Sequence, residues 1–347
     1  MSANERPGVY SSYEVYSSVS GRANGGVVGL AAVSGTGKVG EVTTVTSYAQ
    51  AVAAFGKDSS MASLCRIILA NGAARVVATP VKLGTAAPTT AEYTAAFGVL
   101  MTESLVSYMV CDSQAAAVHA AMKAAIAGGG ENCKYRVGFV EGDGTAAVLT
   151  AAAQAINSER MVFVGNCERD GVPGAVAAAV AGFTAGETDP ALPLNGGILK
   201  ELGELKLSFS ESDVRLLIQG GVCPVETVSG ESSIVRAVTS RTTTSGAADS
   251  TWRELTTVLI VDDVIPTVRA ALRAKFARAK NTAQTRGAIR TQVMIELENK
   301  LKAEIIDSYG GITVAADASD PTICNVSFEF TVAHGLNSVE LVAYITV

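Results

Sequence analysis

Tyr135-Arg136-Val137-Gly138-Phe139-Val140-Glu141 is an apolar run of strand length near the middle of this 347-residue chain. A helical pattern follows over residues 145–156, and a second apolar run, Met161–Gly165, comes after it. Strand, helix and strand in this order are typical of a βαβ unit, which places its strands parallel in one sheet. The stretch therefore predicts an α/β fold for the middle of the chain.

The same alternation continues on both sides of this stretch. Residues 105–111 resemble a strand, and helical patterns cover 113–127 and 174–185. Residues 21–88 combine β-branched, glycine-rich segments with two alanine-rich helices, which indicates a small α+β unit. The predicted fold class is mixed α+β and α/β: a small N-terminal α+β domain, a central α/β domain with a largely parallel sheet, and a C-terminal α+β domain with extended terminal strand arms. The predicted boundaries are 1–20 for the N-terminal arm, 21–88, 89–222 and 223–335 for the three domains, and 336–347 for the C-terminal arm.

The C-terminal region shows two helices and two strands. The run 255–261 has the length and β-branched content of a buried strand, and Asp262-Asp263 with Pro266 predicts a helix start after it. A second helix, with apolar residues every four positions, is predicted to stop at Gly310-Gly311. Strict alternation then predicts strands at Cys324–Val332 and Val339–Val347.

The first of these helices is strongly basic. No acid interrupts residues 264–295, which carry Arg269, Arg273, Lys275, Arg278, Lys280, Arg286 and Arg290. Such a face either meets an acidic partner or is a solvated surface balanced by acids elsewhere. Both interpretations stay open from the residues alone.

Both chain ends resemble strands that need a partner. Val9–Val19 is rich in tyrosine and β-branched residues, and Val339–Val347 alternates to the last residue. An apolar edge strand promotes association unless something covers it. The two ends either pair with neighbouring subunits or with each other inside one subunit.

Composition narrows the class of protein. With 48% hydrophobic residues, a net charge of −6 and a pI near 5.2, the chain can bury a sizeable core and does not resemble a general nucleic-acid binder. Neither a signal peptide nor a membrane-spanning run is predicted, so we expect synthesis in a cytoplasm and no membrane insertion. The cysteines have no metal-ligand spacing and are expected to be reduced core thiols: Cys65, Cys111, Cys133, Cys167, Cys223 and Cys324.

One motif suggests an enzyme. Gly35-Thr36-Gly37-Lys38-Val39-Gly40 matches the dinucleotide-binding pattern G-x-G-x-x-G, which requires a preceding strand and a helix opening at the third glycine. Residues 41–46 resemble a strand instead, so the simpler prediction is a hairpin turn. A nucleotide- or dinucleotide-binding α/β enzyme that uses Gly35–Gly40 stays the alternative function.

Acidic residues follow two of the predicted central strands. Asp112 comes after the first strand, and Glu141 and Asp143 come after the second, at the edge where open α/β sheets bind ligands. Acids in these positions more often cap the following helix, and that is our prediction. Since His119 and His334 lie in no nucleophile motif, we predict no catalytic residues, cofactor or metal.

An ordered set of segments resembles the contractile tail sheath proteins of bacteriophages and of phage-tail-like bacteriocins. No single segment is diagnostic, but together they span nearly the whole chain. The segments are Arg6–Tyr10, Gly29–Gly56, Leu69–Val77, Asp189–Gly197, Gly220–Val225, Ile234–Thr242, and Trp252–Leu255 with the helices behind it.

The resemblance implies a structural subunit and no enzyme. It implies a helical homo-polymer of stacked, hexameric rings around an inner tail tube, in contact with baseplate and terminator proteins, in a virion tail or tail-like particle. Strand exchange would then use Val9, Tyr10, Tyr13 and Val15 at one end and Val339, Leu341, Ala343 and Ile345 at the other. The surface facing the tube would include Arg269, Arg273 and Lys280, and hinges would lie near Gly21 and Gly335.

Overall fold

The computed structural model describes residues 25–130, 135–165, 171–203, 205, 208–337 and 341–343. The predicted N-terminal strand, Val9–Val19, lies outside these ranges, as do Gly21, Val339 and Ile345.

The described chain alternates strands and helices before ending in two long helices and a ribbon. The strands are β1 (Val27–Ser34), β2 (Thr43–Val45), β3 (Arg75–Leu83), β4 (Tyr108–Cys111), β5 (Val137–Glu141), β6 (Met161–Gly165), β7 (Ile198–Leu199), β8 (Val222–Val228), β9 (Glu231–Ile234), β10 (Thr243–Thr244), β11 (Ala247–Ala248), β12 (Ile306–Ala316) and β13 (Cys324–Val332). The helices are α1 (Tyr48–Phe55), α2 (Ser60–Ala70), α3 (Thr90–Thr102), α4 (Ala116–Gly130), α5 (Ala146–Ile156), α6 (Ala175–Gly186), α7 (Glu211–Gln219), α8 (Leu255–Phe276) and α9 (Ala283–Lys302).

A nine-stranded sheet organises most of the molecule, in the order β2-β3-β1-β4-β5-β6-β8-β9-β7. The six central strands, β3, β1, β4, β5, β6 and β8, are parallel to one another. Antiparallel pairs occur only towards the edges of this sheet, where β2 pairs with β3, β9 with β8, and β7 with β9. The predicted largely parallel sheet is therefore confirmed. We call this sheet with helices α1 to α7 the scaffold.

The central strands are apolar because both faces of the sheet are covered. Residues of α1, α2 and α6 pack on one face, and those of α3, α4, α5 and α7 pack on the other. Every residue of β5 and of β6 is buried. This explains why uninterrupted apolar runs identified these two strands in the sequence.

The N-terminal part differs from its prediction in how the strands pair. The turn at Gly35–Gly40 leads from β1 to β2, but β3 lies between those strands, so the predicted hairpin is wrong. Helix α3 was not predicted, because Gly84–Thr90 suggested only a linker. The predicted domain boundary after residue 88 stays a prediction, and β1 pairs with β4 across it.

The start of the described chain is also fixed. The backbone N–H of Gly26 donates to the carbonyl of Ala185, at the end of α6. A Cβ on Gly26 would lie 3.1 Å from the ring of Tyr108 and 3.4 Å from Ala185. The chain thus enters the sheet beside the C-terminal end of α6.

The predicted strand at 255–261 is wrong, because these residues form the first turns of α8. Leu255, Val258 and Leu259 pack into the scaffold core, whereas Ile260 and Val264 pack into a second core. Because this helix packs into two cores, it is apolar on more than one face. Its sequence is therefore a continuous apolar run, as in a buried strand. Pro266 lies within the helix rather than in its first turn, and its ring nitrogen cannot donate the usual helix hydrogen bond.

The second core belongs to what we call the C-terminal unit, residues 260–332. Helix α9 ends at Lys302 rather than at Gly310-Gly311, because those glycines lie inside β12. The pairing register shifts between Gly310 and Thr313, and Gly311 has a φ of +58°. The glycines therefore allow an irregularity in a strand instead of ending a helix. Strand β13 has the predicted bounds, but its partner is β12.

Candidate assembly surface

Strands β12 and β13 form a two-stranded antiparallel ribbon separate from the nine-stranded sheet. Val314 lies opposite Val326 and Tyr309 opposite Phe330. Within the described ranges, neither strand pairs with a third strand on its other edge. The ribbon therefore presents two edges whose backbone groups can accept another strand.

The two faces of the ribbon differ in chemistry. The polar face carries side-chain hydrogen bonds between Thr313 and Ser327, at 2.7 Å, and between Ser308 and Thr331, at 3.1 Å. The apolar face lies against the C-terminal core and is only half buried at Tyr309, Ile312, Val326, Phe328 and Phe330. A two-stranded ribbon is marginal in water, so this one depends on α9 and on what covers its edges.

Tyr135 joins the C-terminal unit to the scaffold. The guanidinium carbon of Arg160, on the scaffold, lies 5.0 Å from the centroid of the Tyr135 ring, and that of Arg269, on α8, lies 5.7 Å away. Arg160 also forms an ion pair with Asp262 of α8. Guanidinium groups are attracted to the negative face of an aromatic ring, so Tyr135 holds cations from both sides of this junction.

Charged groups of α8 face inwards near this junction. Burial raises the pKa of Asp262, while its ion pair with Arg160 opposes the increase. Its Oδ1 atom is buried without a hydrogen-bond partner among the described residues. Asp263 pairs with Lys300 of α9. Sequence reasoning missed Tyr135, Arg160 and these pairings, because no local pattern marks contacts between distant segments.

The predicted basic surface has two parts. Arg269 is directed to the scaffold, where its Nη2 donates to the Tyr135 hydroxyl at 3.3 Å. Arg273 and Lys280 are exposed. Arg273 lies nine positions after the buried Val264, about 180° around the helix, so it points away from the core. All three residues are exposed, and Arg269 also contacts the scaffold.

The predicted strand arms are described only in part. Leu341 and Ala343 are exposed and lie in no strand, and Leu341 is 89% exposed. Val339 and Ile345 lie outside the described ranges, as do Val9, Tyr10, Tyr13 and Val15. Pairing of the arms stays a prediction.

The acids at the carboxyl edge of the sheet bind the chain's own groups. Asp112 accepts from the backbone N–H of Val33 at 2.7 Å and from the hydroxyl of Tyr93 at 2.6 Å. It therefore ties β1 and α3 to the end of β4, and the prediction that it caps the following helix is wrong. Burial raises its pKa.

Glu141 is a helix cap, but for a different helix from the predicted one. Its carboxylate accepts from the N–H groups of Gly174, Val176 and Ala177 at 2.6, 2.9 and 3.0 Å, at the start of α6. Burial raises its pKa, and these N–H groups act in the opposite direction. The predicted cap on α5 is not formed, since its N-cap, Thr145, makes no side-chain cap bond.

The glycine-rich turn lacks the geometry of a nucleotide site. Gly37 and Gly40 adopt positive φ angles, and the chain continues into β2 rather than into a helix. The hydroxyl of Thr36 donates to the carbonyl of Ala54, which ties the turn to α1. Without a helix N-terminus at its third glycine, the turn does not present the anion-binding N–H groups of the dinucleotide motif.

The remaining motifs are structural where they are described. Cys65, Cys111 and Cys223 are buried free thiols, and burial raises the pKa values of Cys111 and Cys223 to about 12. His119 is buried, and its Nε2 lies 2.9 Å from the carbonyl oxygen of Ser113. In the described ranges, no group of His, Cys, Asp and Glu side chains is arranged to hold a metal ion. None of the helices described there combines the length and apolar character needed to cross a bilayer.

The scaffold, the C-terminal unit and its open ribbon together form the fold of contractile tail sheath proteins. Residues 247–346 match the family described as the phage tail sheath C-terminal domain. This match confirms the predicted resemblance for the C-terminal region, and the predicted mixed fold class is confirmed for the described chain.

Particular relatives extend this likeness beyond the C-terminal region. The tail sheath protein of Bacillus phage SP01 is 29% identical over 162 residues, which is 46% of this chain and 27% of that protein. A chain in the anti-feeding prophage baseplate has a TM-score of 0.77 at 15% identity, over 99% of this chain and 100% of that one. A chain of the helical sheath of the same prophage in its contracted state has a TM-score of 0.70 at 14% identity, over 99% of each chain.

Proposed function

We propose that this chain is a structural subunit of a contractile tail sheath, without a catalytic role. It polymerises with itself into stacked hexameric rings around an inner tail tube, and meets baseplate and terminator proteins at the two ends. The polymer is part of a phage tail or of a tail-like particle assembled in the host cytoplasm. When it contracts, it drives the tube through a bacterial envelope.

The observation that carries this proposal is the open ribbon. Among the described residues both of its edges are unpaired and its apolar face is only half buried, so it offers a surface for a further strand. The ribbon lies within the region that matches the sheath family, and the chain supplies two further strand-like segments at its ends.

Strand exchange between subunits would complete this surface. A ribbon edge needs an extended donor with apolar residues along one face. Val339–Val347 alternates in this way, and Val9–Val19 is rich in tyrosine and β-branched residues. Two edges and two donors allow each subunit to link to several neighbours. The donor residues are Val9, Tyr10, Tyr13 and Val15 in one arm and Val339, Leu341, Ala343 and Ile345 in the other.

The C-terminal end of α8 and the loop that follows it would face the inner tube. Arg273, Arg278 and Lys280 are all exposed, and the net charge of the subunit is −6, so this positive surface is local. An acidic tube surface would attract it and set the register of the sheath on the tube. Arg269, which is exposed and also contacts Tyr135, would belong to the same surface where α8 meets the scaffold.

Contraction needs no nucleotide in this scheme. Subunits stored in a strained, extended lattice rotate while the exchanged strands stay paired, and the new subunit contacts supply the free energy. The paired strands keep the polymer continuous while its other interfaces change.

Electron microscopy of the purified chain, with and without Val339–Val347, tests the proposal. We expect hollow tubes or rings from the full chain, increasing with concentration, and a folded monomer from the shortened chain. Normal polymers from the shortened chain would disprove strand donation by this arm. A full chain that stays monomeric at all concentrations, with and without tubes, would contradict the sheath function.

A further inference from the structure

The C-terminal end of the ribbon does not lead directly into solvent. After β13, the N–H of Ala333 donates to the carbonyl of Ile305, and the chain then turns back to the scaffold. There it meets the loop 193–197, which lies between α6 and β7. The path of the chain before the C-terminal arm is therefore set by a scaffold loop.

Gly335 makes the tightest contact with that loop. A Cβ placed on Gly335 would lie 2.3 Å from Cγ and 3.2 Å from Cβ of Pro193. The first distance is too short for any real contact, and a proline ring cannot rotate away as a flexible side chain would. The close approach thus requires glycine, although its φ angle does not.

A hydrogen bond fixes the chain two residues later. The side-chain N–H of Asn195 donates to Oδ1 of Asn337 at 2.7 Å. Oδ1 of Asn195 accepts from the backbone N–H of Ala237 at 3.2 Å, so its amide is oriented by the scaffold. In contrast, Leu336 between the two contacts is 76% exposed. We call Pro193, Asn195, Gly335 and Asn337 the clasp.

We propose that the clasp aims the C-terminal arm, so that Gly335 is a fixed point of the chain rather than a hinge. This proposal rests on the proposed sheath function, in which the arm must reach a ribbon edge on a neighbouring copy. A fixed departure point reduces the conformations that the arm must search and lowers the entropic penalty of strand donation.

A pair of compensating substitutions tests whether the contact between Gly335 and Pro193 directs the arm, or whether a variant fails only because it is less stable. Gly335→Ala introduces the clash, and Pro193→Ala removes the Cγ atom that causes it. The double variant leaves Cβ of residue 193 at 3.2 Å, a tight contact that small shifts relieve. Each variant would be measured for polymer yield by sedimentation and electron microscopy, for thermal unfolding, and for hydrogen exchange at residues 333–337 in the soluble chain.

We expect Gly335→Ala to lower polymer yield about tenfold, as one overpacked contact would, with faster exchange at 333–337 and unchanged thermal unfolding of the scaffold. The double variant should recover the yield, and Pro193→Ala alone should assemble normally.

Two results would overturn the proposal: normal assembly by Gly335→Ala, or a double variant as defective as the single one. The chain without Val339–Val347 distinguishes a failure of the proposed strand donation from a failure of the clasp. If it polymerises normally, strand donation fails. If it is monomeric while Gly335→Ala assembles normally, only the clasp fails.

Discussion

The guanidinium carbon of Arg160 lies 5.0 Å from the ring centroid of Tyr135, while Arg160 also pairs with Asp262 on the other side of the junction between the scaffold and the C-terminal unit. Arg160 thus contacts Tyr135 in the scaffold and Asp262 in α8, and Asp262 lies 102 positions further along the chain. Since Arg269 contacts the same ring, α8 is linked to this cluster twice, through Asp262 and through Arg269. The orientation of the C-terminal unit depends on this small cluster.

Replacing Tyr135 by alanine should loosen the junction. We expect a loss of about 1–2 kcal/mol relative to Tyr135→Phe, since each of the two guanidiniums gains about 0.5–1 kcal/mol from an aromatic face. Hydrogen exchange should increase along residues 262–276 but not in the scaffold strands. Tyr135→Phe keeps the ring and loses only the 3.3 Å hydroxyl contact with Arg269. Equal exchange in both variants would show that the ring does not hold α8.

The core beneath the ribbon should be sensitive to truncation. Leu297 is fully buried between α8, α9 and the ribbon, so Leu297→Ala should reduce the free energy of unfolding by about 2–5 kcal/mol. Met294 on the same helix is 43% exposed, and Met294→Ala should cost at most about 0.5 kcal/mol. Chemical denaturation measures both. Similar values for the two variants would contradict the described packing of α9.

Glu141→Gln should destabilise the scaffold although it alters only one atom. The amide N–H₂ would replace a carboxylate oxygen that accepts hydrogen bonds from backbone N–H groups at the start of α6. A lost charged hydrogen bond in a buried site costs about 2–3 kcal/mol. Asp143→Asn is the matched control, since Asp143 is exposed. If the denaturation curves of Glu141→Gln and Asp143→Asn coincide, Glu141 does not stabilise the scaffold by capping α6.

Charge reversal at the C-terminal end of α8 and the loop after it should weaken assembly on tubes. We expect Arg273→Glu with Lys280→Glu to reduce tube-dependent polymer about tenfold at low salt, and less at high salt, because exposed charges are screened. Arg215→Glu with Lys57→Glu, two exposed cations elsewhere on the chain, controls for the same change in net charge. If the control is as defective as the test variant, the effect is not specific to this surface.

The turn of the ribbon should resist mild acid. Hydrogen bonds from Ser319 and Asn325 lower the pKa of Asp317 from its ordinary value of 3.8. Since the folded pKa is lower than the unfolded one, the ionised group contributes stability above pH 3.8, and this contribution disappears as the pH falls through the lowered value. A carbon-detected NMR titration of Asp317 checks this. A midpoint at or above 3.8 would contradict the hydrogen bonds, and Asp317→Asn should remove the acid dependence.

The sequence predicted the parts of the fold that repeat a simple pattern. β6 and β13 have the predicted bounds, because an apolar run between turns and a strict alternation both reflect burial directly. α8 was misread where one helix contributes to two cores, and β12 was missed because its glycines resemble a helix stop. α3 follows a proline-containing segment, and apolar residues occur all round it as well as on its buried face, so no helical period marks it.

The candidate surface was predictable in composition but not in geometry. The basic stretch after Pro266 identified an exposed surface, yet only the structure shows that Arg269 points to Tyr135 while Arg273 points to solvent. Likewise Asp112 and Glu141 were recognised as structural acids, but their partners, Val33 and the start of α6, come from distant segments. Contacts across long sequence separations leave no local periodicity to detect.

Both ends of the described chain meet the same short stretch of scaffold. Gly26 binds the carbonyl of Ala185, and Gly335 lies against Pro193, eight positions further along. Residues 185–193 are therefore a common base that fixes the chain both where it enters the sheet at Gly26 and where it leaves the ribbon at Gly335. A change in this segment would shift both directions together, whereas a change of equal size near α4 and α5 would leave them as they are. If the termini build the lattice as we propose, variation should be tolerated far from this base and selected against within it.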